Sequence, residues 1–293
     1  MKQVVTLSMG LWLLGCDDPL KNVELIDETR VLGARVEVQG DAERAAPAPG
    51  ETANVKLLVA APELTPSLGF ALAACPAAGR QGVRGSCAGP PFAETFAANA
   101  GGAVPSLDFE VPAELDASGR VLLLGVVCPN GSPRADGSSC DGDEPGTPLQ
   151  LELELSREGD VNTNPELQAE SIAFDGGAWP ELPSVEGDCA GQGFVEVATE
   201  SKHDLGVALD ESDRDPLPRA SALDPARESL QLSHFVSAGD VTRAFETIAW
   251  DSEDLQRRVA WTAPKTPGLV RFWFVLRDFR GGGAFTTRAV CVL

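Results

Sequence analysis

Short apolar runs, broken by proline, glycine and acidic residues, recur from residue 31 to the C-terminus, and their spacing is that of strands. Leu149 to Leu155 is the clearest case. Leucine there alternates with Gln150, Glu152 and Glu154, so one face is buried and the other wet. Val31 to Val38, Ala53 to Ala60, Leu68 to Cys75, Val104 to Val111 and Val121 to Cys128 are further strands, with a turn at Pro47-Ala48-Pro49-Gly50. Glu94 to Ala100 reads as a helical turn. The polar, turn-rich stretch Arg157 to Pro165 then interrupts the pattern and marks a boundary. Beyond it, Phe194 to Thr199, Ser229 to Val236, Arg257 to Thr262, Leu269 to Arg277 and Ala284 to Leu293 read as strands, the last two joined through Asp278 to Gly283 as a hairpin. Residues 200 to 228, acidic and dotted with proline, read as a long loop. Many short strands with turns between them predict an all-β chain with one sandwich in each half.

The N-terminus follows another pattern. Lys2 supplies one positive charge, and Val4 to Leu14 is apolar and uncharged, too short to span a bilayer but long enough for the core of a secretion signal. It ends in Leu13-Leu14-Gly15-Cys16, which resembles the lipobox of bacterial lipoproteins. That resemblance implies a signal peptide over 1–15, a diacylglyceryl group on the Cys16 thiol, and a short polar tether over 16–28. It also implies attachment to a membrane through palmitate-type lipid, since two or more acyl chains make a stable anchor. In enteric members of that family an aspartate after the cysteine, here Asp17, implies inner-membrane retention.

Composition narrows the possibilities. The chain of 293 residues carries 44 acidic against 23 basic residues, a formal net charge of −21. So acidic a surface repels nucleic acid, and no DNA or RNA partner is expected. Setting Cys16 aside leaves six of the seven cysteines, an even number in a chain expected outside the cytoplasm. Cys75-Pro76 and Ser86-Cys87 share spacing and flanking residues with Cys128-Pro129 and Ser139-Cys140. If the two runs ending at Cys75 and Cys128 are antiparallel neighbours, those cysteines lie at opposite edges, too far apart to bridge. Local pairs Cys75–Cys87 and Cys128–Cys140 follow, and Cys189–Cys291 remains. A metal site lacks C-x-x-C pairs and nearby histidines.

Pro49-Gly50-Glu51-Thr52 before a strand, and Trp261-Thr262-Ala263-Pro264 with Pro267-Gly268 before Arg271 to Arg277, resemble strand entries in envelope lipoproteins of high-GC Gram-negative bacteria with immunoglobulin-like domains. The resemblance implies two Greek-key β-sandwich domains in tandem, over 29–158 and 159–293, facing the periplasm or the cell surface.

Motifs for catalysis are missing: no G-x-S-x-G, H-E-x-x-H or G-x-x-x-x-G-K-[ST] occurs. His203 and His234 are the only histidines, and no spacing assembles a triad around His234. Asp136, Asp141, Asp143 and Glu144 form an acidic loop cluster that offers oxygens to calcium, as do Asp210, Glu211, Asp213 and Asp215, but neither has EF-hand spacing. A solvated loop accounts for both, and no cofactor is expected. Asn130-Gly131-Ser132 reads as a turn as well as a glycosylation triplet. Trp250, followed by Asp251-Ser252-Glu253-Asp254, is the one candidate sugar contact, whereas Trp261 and Trp273 read as core. The leading expectation is a lipid-anchored, non-catalytic envelope protein for adhesion, assembly or scaffolding. A carbohydrate- or ligand-binding lipoprotein is the alternative, and a secreted glycosidase, with no nominated carboxylate, comes third.

Overall fold

A computed structural model describes residues 22–62, 68–78, 85–98, 100, 104–116, 119–142, 146–157, 162–181, 189, 193–217 and 224–293. The lipobox with Cys16, and the calcium candidates Asp143 and Glu144, lie outside the described residues. Among the described residues, no helix is long and apolar enough to cross a membrane.

The first half holds β1 Arg30–Val38, β2 Thr52–Ala60, β3 Leu68–Ala78, β4 Ser86–Cys87, β5 Ala93–Ala97, β6 Ser106–Glu110, β7 Arg120–Pro129 and β8 Thr147–Glu154. One sheet has the order β1-β2-β6. The other runs β4-β3-β7-β8, with β5 also on β3. The chain crosses between sheets after β2, β5 and β6, a Greek key. Val55, Leu57 and Phe109 from one sheet meet Leu72, Leu123 and Leu153 from the other in the core.

The second half holds β9 Ile172–Phe174, β10 Gly177–Ala178, β11 Val195–Val197, β12 Lys202–Ala208, β13 Leu230–Val236, β14 Asp240–Val241, β15 Phe245–Ile248, β16 Gln256–Thr262, β17 Gly268–Arg277 and β18 Gly283–Val292. Its sheets have the orders β10-β9-β12-β16-β14 and β11-β18-β17-β13-β15. The chain passes from β9 and β10 in one sheet to β11 in the other, where β11 lies parallel to β18. Both halves are therefore immunoglobulin-like sandwiches. No disulfide bridges the second core. Instead Phe272 packs edge-on against Trp179 and Trp261, with ring centroids 5.0 and 4.9 Å apart. Each such pair adds about 1 kcal/mol beyond the area it buries. Both indoles stay satisfied in the interior, Trp179 donating to the Ala289 carbonyl and Trp261 to that of Ala238.

All three bridges are present: Cys75–Cys87, Cys128–Cys140 and Cys189–Cys291, with Cα–Cα distances of 5.6, 5.6 and 5.5 Å. β3 and β7 are antiparallel neighbours, and Cys75 and Cys128 lie at opposite ends of the pair. Three disulfides belong to an oxidising, extracytoplasmic compartment.

The structure departs from the sequence reading at three places. Glu94 to Ala100 is no helical turn. Residues 93–97 are a strand on β3, with Ala93 and Ala97 packed on the core and Glu94 and Phe96 outside. Residues 200–228 are not one long loop, because β12 sits inside a sheet between β9 and β16 and buries Leu205 and Val207. Part of the expected tether is docked: Ile26 N donates to the Val236 carbonyl and Val236 N to that of Glu24, both at 2.9 Å. Trp273 is core, as expected, but in a cluster apart from the two sandwich interiors.

Trp273 belongs to the seam between the modules. Trp273 and Val275 point outward from β17 and join Leu32, Leu58, Ala60 and the fully buried Ile26 in a separate apolar cluster. A polar network borders it. Asn164 donates to the Val36 carbonyl and accepts from Gly283 N. Thr163 bonds Asp215 through both its N–H and its hydroxyl. Arg35 donates to the Gly283 carbonyl at 3.2 Å. A Cβ on Gly283 would come within 2.7 Å of the Ala34 carbonyl, so this close approach requires glycine.

Candidate functional site

The first module carries a groove on the outer face of its β4-β3-β7-β8 sheet. Strand alternation turns Phe70 and Leu72 into the core and Ala71 and Ala73 outward, and it does the same on β7 for Leu123 and Leu124. The Cys128–Cys140 bridge folds a loop back over this outer face, and Cys75–Cys87 brings Gly85 to it from the opposite end. Val126, Cys128 and Cys140 are buried with Ala71 under that loop. Leu122 is buried beside Gly85, where a Cβ would touch it at 3.1 Å. Beside β5 and residues 135–138 of the Cys128–Cys140 loop lies a cavity of ≈ 500 Å³ with Ala71, Ala73 and Leu124 among its lining, flanked by Phe96, Glu94 and Asp136. Phe96 is 53% exposed. Asp136 accepts from the N–H and hydroxyl of Ser138, and these bonds hold its carboxyl below the usual range.

The second module assembles a serine, a histidine and an aspartate. Ser201 Oγ lies 2.7 Å from His203 Nε2, and His203 Nδ1 lies 2.7 Å from Asp175 Oδ2. The spacings are those of a hydrolytic triad. Burial raises the Asp175 carboxyl, but bonds from His203 and the Asp204 N–H outweigh it and hold it below the usual range. Two features argue against nucleophilic catalysis. The Ser201 hydroxyl gives its proton to the Ala198 carbonyl, leaving none for Nε2 to accept. The Ser201 N–H also bonds that carbonyl, at 3.3 Å, rather than facing the place of an oxyanion. His203 is instead a pin, stacked on Phe174 with centroids 4.8 Å apart and tying the β9–β10 turn to the start of β12. The sequence signal was present but unreadable: Ser201 and His203 are two apart, while Asp175 arrives through the β9–β12 pairing.

The other sequence candidates are dispersed or already occupied. Asp210 and Asp213 cap one short turn reciprocally. Glu211 pairs with Arg214 and Arg227, and Asp215 holds Thr163. Asp141 stands 3.9 Å from Arg134. No group of three metal-ligating side chains forms among the described residues. Trp250 is half-buried in the turn after β15, its N–H on Ser229 and its carbonyl held by Arg214. It makes no ring contact with another aromatic among the described residues. His234 is buried in β13, and burial pushes its pKa down to about 4.

Sequence reasoning also missed Glu228, whose side chain is 1% exposed and meets Arg280 at 2.6 Å. Burial and the neighbouring Asp278 and Asp215 push its carboxyl up to about 7, against the pull of Arg280. Burial likewise raises Asp278, although the N–H groups of Arg280 and Gly282 donate to it.

No protein-family model matches the chain, and no curated protein matches it. One match among solved structures is a glycosyl hydrolase family 2 member from Bacteroides cellulosilyticus, 10% identical with a TM-score of 0.19. The alignment covers 89% of this chain and 29% of that one, so the chain spans less than a third of that protein's length. Similarity at this level bears on neither activity nor substrate.

Proposed function

We propose that the chain is a lipid-anchored, non-catalytic protein of the cell envelope. On this reading its two sandwiches, locked together, form one rigid unit for adhesion, assembly or scaffolding. The observation that carries the reading is the seam: Ile26, within the segment expected as tether, is fully buried with Trp273 between the modules. An attachment point built into the joint suits a spacer that must hold its modules at a set angle to a surface. Seven residues lie between Cys16 and Glu24, about 28 Å of chain at full extension. Lipid on Cys16 therefore keeps the seam close to the membrane.

The test is lipidation of the full chain in a bacterial host. Radiolabelled palmitate is expected on the wild type and absent from Cys16→Ala, with globomycin blocking maturation. A soluble cytosolic product with free thiols overturns the reading. So does a hydrolase activity of the purified chain that is lost on one carboxylate substitution.

The groove on the first module favours a second reading, a ligand-binding lipoprotein. Trp250, the sugar contact expected from sequence, lies in the other module, so the aromatic that serves this reading is Phe96.

A further inference from the structure

We propose that the groove between β5 and residues 135–138 of the Cys128–Cys140 loop binds an extended apolar peptide segment that carries a lysine or arginine. The inference deepens the ligand-binding reading and rests on it. Three observations support it.

First, the groove is built. Alanine at 71 and 73, where strands favour β-branched or aromatic residues, leaves depth above the sheet. The loop closed by Cys128–Cys140 comes down onto this floor. Gly137 has φ +65°, and a Cβ there would lie 3.4 Å from the Ala71 Cβ. A volume of ≈ 500 Å³ is in the range of specific ligand sites.

Second, its surface is apolar with an aromatic wall. The floor offers methyl and isobutyl groups and few donors, which suits aliphatic side chains and gives a sugar's hydroxyls little to bond. Phe96, more than half exposed, presents its ring beside this floor.

Third, the charge is one-sided. Among the described residues of the lining, Glu94 and Asp136 are the ionisable side chains. Glu94 is exposed with no ion-pair partner among the described residues, while Arg134 stands 3.9 Å from Asp141 and also acts on Asp136. Two carboxylates and an aromatic ring attract a cation and repel an anion. An apolar run interrupted by one positive charge satisfies all three features.

The probe is fluorescein-labelled Leu-Val-Lys-Val-Leu amide, with Leu-Val-Glu-Val-Leu amide as its charge-reversed control, titrated by anisotropy with the full chain in mild detergent. The lysine peptide is expected to bind at least about tenfold more tightly than the control. The pair Glu94→Gln with Asp136→Asn should erase that preference. Phe96→Ala should weaken the lysine peptide by about tenfold. All three positions are exposed, and unchanged thermal unfolding verifies that the variants fold. Equal binding of the two peptides, or no binding of the lysine peptide at about 1 mM, overturns the proposal. The assay is indifferent to the lipid state of Cys16, so its failure is distinct from failure of the anchoring test. Failure of lipidation likewise leaves the groove result standing.

Discussion

Asn164 reaches across the seam to Val36, its Nδ2 donating to the Val36 carbonyl at 2.6 Å, while its Oδ1 accepts from Gly283 N at 3.1 Å. One buried carboxamide thus ties β1 of the first module to the β17–β18 hairpin of the second. Asn164→Leu leaves the Val36 carbonyl and the Gly283 N–H unpaired in the interior. A loss of about 2–4 kcal/mol is expected. Urea unfolding followed by tryptophan emission checks it, and Trp273, buried in the joint, should redden at a lower concentration than in the wild type. An unchanged midpoint contradicts this account of the seam.

Glu228 makes the same region pH-sensitive. Its folded pKa of about 7 lies above the ordinary 4.5. Between those values the unfolded chain releases the proton while the folded chain keeps it. The contribution is therefore full below 4.5 and is lost as the pH rises through 7. The loss is about 2 kcal/mol once partial solvent screening is allowed for. Glu228→Gln should flatten this part of the profile, measured as unfolding free energy between pH 5 and pH 8.

His234 acts with the opposite sign. Its Nδ1 has no hydrogen-bond partner among the described residues, and burial pushes its pKa down from 6.5 to about 4. The unfolded chain takes up a proton between those values and the folded chain does not. Stability from this group is present above 6.5 and is lost as the pH falls toward 4, by about 3 kcal/mol. His234→Phe, beside Phe274 in the core, should remove that acid sensitivity. A variant as acid-labile as the wild type would place the sensitive group elsewhere.

Ser201, His203 and Asp175 are expected to be structural. A fluorophosphonate probe should leave Ser201 unlabelled at neutral pH. Asp175→Asn and His203→Phe should lower stability by about 1–2 kcal/mol through the lost pin. Covalent labelling of Ser201 that disappears in Asp175→Asn would reverse this conclusion.

The bridges should differ in weight. Cys75–Cys87 and Cys128–Cys140 each close a separation of 12 residues, Cys189–Cys291 one of 102. In the chain-entropy model the long loop stabilises by about 4.7 kcal/mol and each short one by about 3. Paired serine variants, unfolded in urea, test that order.

Much of this architecture was legible in the sequence because it is local. Leu149 to Leu155 shows its alternation directly, and the six paired cysteines declare their partners through spacing and strand direction. The segment Glu94 to Ala100 misled because its alanines favour a helix in isolation, whereas the edge of β3 offers the hydrogen bonds that make it a strand. β12 was hidden by Asp204, Gly206 and the acidic residues after it, although only Leu205 and Val207 need to be buried.

The chain's own order of residues determined the all-β class, the hairpin at Asp278 to Gly283 and the three covalent bridges, since each depends on periodicity, turn chemistry or cysteine spacing. Tertiary structure alone decided that Ile26 and Trp273 meet in a seam, that Glu228 faces Arg280 and Asp278, and that the Cys128–Cys140 loop overhangs a groove beside Phe96. Those contacts join distant parts of the chain or depend on which face of a sheet a side chain takes, and burial by a distant element leaves no mark on the local pattern.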